Sequence, residues 1–197
     1  SCKSILYTVD FDEIHRLQGE GDWEQLDAIM VNAAQSLEKG GADIILICAN
    51  TMHLCSDAII KNVSIPLLHI AEATGQAIKE KGLKKVGLLG TKFTMEKDFY
   101  KGQLEKKHAL DVITPNSNDR KIIHQIIYKE LCLGTIKDDS RQKYLRIIND
   151  LVEKGAEAII LGCTEITLLV KPEHTNVKLF DTTSIHALKA VEMALNN

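Results

Sequence analysis

Apolar residues recur at helical spacing in residues 23–39, where Leu26, Ile29, Met30, Ala33 and Leu37 share one face. Gly40-Gly41 closes that pattern, and Ile44-Ile45-Leu46-Ile47 follows as a short, wholly apolar strand running into Cys48. The same sequence of events returns later. Tyr144, Ile147, Ile148, Leu151 and Val152 line one helical face of residues 143–154, Gly155 closes the helix, and Ala158-Ile159-Ile160-Leu161 leads to Cys163. The register is imperfect, with seven residues from Gly41 to Cys48 and eight from Gly155 to Cys163. Helix–glycine–strand units also recur by chance in α/β chains, but the matched cysteines favour a duplicated, two-lobed chain.

The remaining pattern fits the same class. Ile5–Val9 reads as a strand, Ile65-Pro66-Leu67-Leu68 as a short apolar segment entering a helix over Ala71–Lys81, and Val86–Thr91 as a buried strand ending in a glycine turn. Lys121–Leu131 reads as a helix, Val177–Phe180 as a last strand and Ser184–Leu195 as a closing helix. Strands alternating with helices predict an α/β fold of two similar Rossmann-like lobes, with parallel sheets flanked by helices and an active site in the cleft between them. The expected division is 1–82 plus 184–197 for the first lobe and 83–183 for the second. The strand ending at Gly90 has no counterpart in the first copy, where it would fall before Ser1, and the chain has no initiator Met. The first lobe therefore reads as truncated before its opening strand and helix.

Composition narrows the partners. Among 197 residues, 45% are apolar and 26% charged, as in ordinary globular proteins, and no apolar run approaches the roughly 20 residues that span a bilayer. The net charge of −3 comes with scattered Lys and Arg, which argues against nucleic acid. No leader is apparent. Five cysteines without a CxxC pair point to free thiols in a reducing cytoplasm rather than to a disulfide framework, and neither Cys nor His falls at zinc-ligand spacing.

Chemistry concentrates at the two strand ends. A thiol where a strand opens into a helix sits by unpaired backbone N–H groups, which favour thiolate. Asn50 and Thr51 follow Cys48, and Thr164 and Glu165 follow Cys163; such residues cap helices or hold a ligand carboxylate. Two similar groups from two similar lobes suit inversion of an α-carbon, which needs a base on one face and an acid on the other. The alternative for each is a small buried core residue. Cys2, Cys55 and Cys132 lack such surroundings and read as structural.

At Cys48-Ala49-Asn50-Thr51-Met52-His53 and Gly162-Cys163-Thr164-Glu165-Ile166 the sequence resembles the aspartate/glutamate racemase family, in its broad-specificity amino-acid racemase branch. Gly87–Met95 and Phe180–His186 carry the resemblance further, so it covers essentially the whole chain. It implies two Rossmann-like lobes, neither pyridoxal phosphate nor metal, and a homodimer. It assigns Cys48 and Cys163 as the two bases, and Asn50, Thr51, Thr91 and Thr164 as holders of the substrate's carboxylate and amine. Gln18 and Glu165 are further substrate contacts, against readings as a surface turn and a helix-start carboxylate. For His53 and His186 a hydrogen-bonded structural role stands beside a catalytic one.

The chain departs from the family pattern in two places. It begins after the family's glycine-rich opening strand, turn and helix. Aspartate-specific members hold the second carboxylate with basic side chains; after Tyr128-Lys129-Glu130 this chain has Leu131-Cys132-Leu133, leaving Arg16 and Lys92 as substitutes. The expected activity is therefore cofactor-independent racemisation of a free amino acid by two-base proton transfer, with an acidic or broad substrate range that leans towards broad. The alternatives are a cysteine-dependent, maleate-type diacid isomerase and a catalytically silent amino-acid-binding protein.

Overall fold

The computed structural model describes residues 3–196, so Cys2, assigned above to a structural role, lies outside the described residues. The chain divides into two compact units. The first takes in the described residues up to Ile47, with Met52–His69 and the chain from Ala190 onward. Its helix α1 (Phe11–Glu20) starts at Asp10, whose carboxylate accepts from Asp12 N at 2.8 Å, and stops at Gly21 with φ 76°. Helix α2 (Trp23–Lys39) follows the Asp22 cap and buries Leu26, Ala33 and Ala34. Strand β1 (Ile45–Leu46), helix α3 (Ser56–Asn62) and strand β2 (Leu67–Leu68) complete it, with β1 and β2 parallel. Glu38 ties α2 to the entry of β2 by accepting from Ser64 N at 2.7 Å and Ile65 N at 3.3 Å.

The strand expected over Ile5–Val9 does not form. Ile5, Leu6 and Tyr7 have no regular structure and stand 51%, 81% and 44% exposed. Apolar β-formers supply propensity, but a strand is made by its ladder, and no described strand pairs with these residues.

The second unit holds Cys48–Thr51 and Ile70–Lys189. It runs α4 (Ile70–Lys79), β3 (Lys85–Gly90), α5 (Lys92–Glu96), α6 (Asp98–His108), β4 (Asp111–Ile113), α7 (Ser117–Lys129), α8 (Asp138–Glu153), β5 (Ala158–Gly162), α9 (Ile166–Leu169), β6 (Lys178–Asp181) and α10 (Thr182–Asn196), the last extending past Lys189. Its four strands are all parallel in the order β4-β3-β5-β6. Where the sequence placed a boundary at 82/83, the compact unit begins at Ile70. The physical reason is that α4 buries Ile70, Ala71 and Ile78 in one cluster with Val86, Leu88, Tyr100 and Leu104.

The sheet explains why its strands read as continuous apolar runs rather than alternating ones. Val86, Leu88, Ala158 and Ile160 pack on one face against α4 and α6. Leu89, Ile159 and Leu161 pack on the other against Ile123 and Ile127 of α7 and Tyr144, Ile148 and Leu151 of α8. Both faces are covered, so both sets of side chains must be apolar.

The repeated motif closes in the same way in each unit. Gly41 and Gly155 adopt φ 87° and 93°, and the next amides reach back five residues, Ala42 N to Leu37 O at 3.1 Å and Ala156 N to Leu151 O at 3.0 Å. A left-handed glycine thus ends each helix and launches each strand into a cysteine loop. Among the described residues no helix is long and apolar enough to cross a membrane.

The burial pattern sets a stability contrast. Ile160→Ala, in the fully buried sheet centre, is expected to cost about 2–5 kcal/mol. Leu188→Ala, at a site 70% exposed, is expected to stay within about 0.5 kcal/mol. Urea unfolding of the three proteins checks this; equal midpoints would contradict the packing described.

Candidate active site

The strand order fixes where a ligand can enter. From β3 the chain crosses to β4 on one side, and from β5 to β6 on the other, so the crevice opens beyond the carboxyl ends of β3 and β5. These strands end on paired glycines, Gly90 opposite Gly162. A Cβ at Gly90 would lie 2.8 Å from Gly162 O, and one at Gly162 would lie 2.7 Å from Leu89 O. Only glycine allows this approach, and it sets the next residues, Thr91 and Cys163, side by side at the mouth of the crevice.

Three buried hydroxyls gather there. Thr91 caps α5 by accepting from Thr94 N at 3.3 Å. Its Oγ1 lies 2.9 Å from Thr51 Oγ1 and 3.3 Å from Thr94 Oγ1, while Thr51 and Thr94 are 3.5 Å apart. Asn50 is anchored to the same unit. Thr182 gives its hydroxyl proton to Leu161 O at 2.9 Å and accepts from Asn50 Nδ2 at 3.1 Å. That bond orients the amide and leaves Asn50 Oδ1 buried, with no partner in the protein, at a residue only 4% exposed. A buried acceptor left open is costly unless a ligand N–H, such as an α-ammonium, completes it. Cys48, two residues before Asn50, is an exposed free thiol.

Cys163 is different. It is buried, and its thiol donates to Glu165 Oε2 at 2.9 Å. Burial first, and then the neighbouring Glu165 carboxylate, push the thiol well above its ordinary range. The sequence argument expected helix-start N–H groups to favour thiolate here; the structure reverses that for Cys163, because desolvation and a like-charged neighbour outweigh a helix of only four residues. Cys163 therefore rests as a thiol at neutral pH.

Of the residues singled out from sequence, Cys48, Asn50, Thr51, Thr91, Cys163, Thr164 and Glu165 all belong to the second unit. Thr164 is half-buried, and its carbonyl accepts from Thr167 Oγ1 at 2.9 Å. Glu165 makes no capping bond to α9 and is taken up by Cys163 instead. Gln18 is no surface turn: it lies buried on α1 in the first unit, with Nε2 donating to Met52 Sδ at 3.1 Å. His53 is fully buried, its ring 4.5 Å from that of His69, and His186 is buried on α10. Arg16 pairs with Glu20 at 2.8 Å, and the Lys92 ammonium sits 5.0 Å from the Phe93 ring. Cys55, read as structural, is fully buried, and a hydrogen bond with Asp27 joins burial in raising its thiol pKa.

Sequence reasoning missed Thr94 and Thr182. The two threonines lie inside quoted motifs, and the signal available was a hydroxyl residue at the start of a helix following a buried strand. Cys132, assigned a structural role, packs on the same apolar cluster as Cys163, and burial first, then the Glu165 carboxylate, raises its thiol to about 11. Its sequence surroundings give no hint, since the contact is made through packing of the Leu131–Leu133 turn on α9.

The chain belongs to the Asp/Glu/Hydantoin racemase family, whose model matches residues 4–190, and is thereby a racemase, an isomerase by class. It is 23% identical to the broad specificity amino-acid racemase RacX of Bacillus subtilis over 88% of this chain and 74% of that protein. A crystal structure of a presumed Asp/Glu racemase from Yersinia pestis superposes with a TM-score of 0.90 at 51% identity, covering 97% of this chain and 83% of that one. PH1733, an aspartate racemase homologue from Pyrococcus horikoshii OT3, gives a TM-score of 0.82 at 38% identity over 96% and 82%.

The Cys163–Glu165 pair makes a testable demand. In Glu165→Gln the negative neighbour is gone, so the Cys163 thiol should ionise at lower pH. Iodoacetamide labelling at pH 8, read by peptide mass spectrometry, should then run severalfold faster at Cys163 than in the parent protein. An unchanged rate would show that the carboxylate does not control this thiol.

Proposed function

We propose that the protein racemises a free amino acid without a cofactor, using Cys48 and Cys163 as two bases on opposite faces of one substrate. The observation that carries this is the anchoring of the Cys48 loop at the ends of β3 and β5, with Thr51 Oγ1 2.9 Å from Thr91 Oγ1 and the Asn50 amide held on Thr182, whose hydroxyl binds Leu161 O two residues before Cys163.

In this reading the Thr51, Thr91 and Thr164 hydroxyls hold the α-carboxylate, and Asn50 Oδ1 accepts from the α-ammonium. A Cys48 thiolate removes the α-proton as the C–H bond breaks, and the electron pair spreads onto the hydrogen-bonded carboxylate. The Cys163 thiol delivers its proton to the other face, leaving Cys163 as thiolate and Cys48 as thiol. Proton exchange with solvent restores the starting state, and the opposite enantiomer runs the steps in reverse. The Cys163–Glu165 hydrogen bond supports Cys163 as the acid at the outset, since it keeps that sulfur protonated. Glu165 then acts as a positioning residue for Cys163. The reading includes a homodimer in a reducing cytoplasm.

Proton NMR in D2O with L- and D-aspartate, glutamate, methionine and homoserine tests it. Loss of the α-proton signal is expected for at least one pair, and Cys48→Ala or Cys163→Ala is expected to lower racemisation at least about a thousandfold while the fold is retained. Full activity in either variant would overturn the two-cysteine assignment.

A further inference from the structure

The Asn50 side chain can meet a ligand in two ways, because its amide ends in an acceptor and a donor of nearly the same shape. Thr182, a fully buried residue at the start of α10, decides which end is offered. Strand β6 pairs with β5 as far as Asp181 opposite Leu161, and the chain then turns into α10. At that corner the Thr182 hydroxyl lies 2.9 Å from Leu161 O and 3.1 Å from Asn50 Nδ2. A hydroxyl has one proton, and a carbonyl oxygen can only accept it. The proton therefore goes to Leu161 O, and Asn50 meets a lone pair.

Turning the amide over would set Oδ1 against that lone pair, two acceptors with no proton between them at two buried residues. The backbone of β5 thus dictates the amide's orientation through one hydroxyl. Oδ1, buried and without a partner among the described residues, is the end left for a ligand. Thr51 and Thr91 differ from it, since their hydroxyls can donate or accept as the ligand requires.

Resting on the racemase reading, we infer that Thr182 is a positioning residue that sets specificity at the α-carbon. By holding the Asn50 oxygen towards the ligand, it admits an α-carbon bearing a hydrogen-bond donor and refuses the 2-oxo acid of the same skeleton. An α-ammonium, or the hydroxyl of a 2-hydroxy acid, gives Oδ1 a proton to accept. A 2-oxo group brings only lone pairs, and both oxygens would be left unsatisfied in a buried setting. The three ligand types share a carboxylate and a side chain, so the discrimination falls on this one acceptor.

The test compares two series: glutamate with 2-hydroxyglutarate and 2-oxoglutarate, and methionine with its 2-hydroxy and 2-oxo counterparts. Binding to the full chain is read as protection of the exposed Cys48 thiol from iodoacetamide. In a series that binds, half-protection by the 2-oxo acid should need at least about tenfold more ligand than by the amino acid, with the 2-hydroxy acid between them. Thr182→Val keeps the shape but cannot accept from the amide, so Asn50 can turn over. It should weaken the amino acid, strengthen the 2-oxo acid and cut their ratio at least about fivefold. Thr182→Ala carries the same expectation should the valine variant not fold, as judged by circular dichroism. Thr182→Ser keeps the hydroxyl and should keep the ratio. A mere loosening of the corner would weaken both ligands alike and leave the ratio unchanged. An unchanged ratio in a folded valine or alanine variant would overturn the inference, as would a parent protein that binds the 2-oxo acid as well as the amino acid. Exchange of α-protons in D2O is followed alongside. If the ratio behaves as expected but no amino acid exchanges, the racemase reading fails and the Thr182 assignment stands. If exchange occurs and the ratio does not respond, the assignment alone fails. Protection by none of these compounds overturns the assignment, and absence of exchange beside it overturns the reading as well.

Discussion

Where β3 and β5 end, Gly90 and Gly162 face each other so closely that no side chain fits at either position, and the site is built on that contact. It lets two parallel strands run together to their last residues and then diverge, one towards β4 and the other towards β6. Thr91 and Cys163 are therefore held on rigid strand ends, not on a wandering loop. The apolar clusters on both faces of the sheet hold the strands in register, and Thr182 links β5 to the Asn50 loop through Leu161 O. Folding energy spent on packing thus appears at the surface as a fixed arrangement of thiol, hydroxyls and amide.

The two cysteines start from unequal surroundings. Cys48 is exposed, whereas Cys163 is buried against a carboxylate that keeps its proton in place. Proton transfer across a carbon needs one donor and one acceptor at any moment, and in the proposed mechanism this asymmetry makes Cys163 the first donor.

Much of this was legible in the sequence, for a physical reason. Strands buried on both faces must be apolar throughout, so β3 and β5 stand out as unbroken runs, and left-handed closure demands Gly41 and Gly155 before β1 and β5. The Cys48 and Cys163 motifs, readable in the residues alone, fall in the loops that follow β1 and β5. What stayed hidden depends on contacts between distant segments. The apolar stretch Ile5–Val9 carries strand propensity but has no ladder partner. Cys132 comes near Glu165 only through the packing of a short turn on α9. The raised pKa of Cys163 comes from its burial and from where the Glu165 side chain points, and neither is written in residue types alone.

Central to the account is that two different groups handle the α-proton, one removing it and the other replacing it. Racemisation in D2O, stopped at a few per cent conversion with the enantiomers separated and weighed by mass spectrometry, tests this most directly. Two bases predict deuterium in nearly every product molecule and almost none in the recovered starting enantiomer. Equal deuterium in both enantiomers would mean that a single group serves both faces, and would contradict the pairing of Cys48 with Cys163.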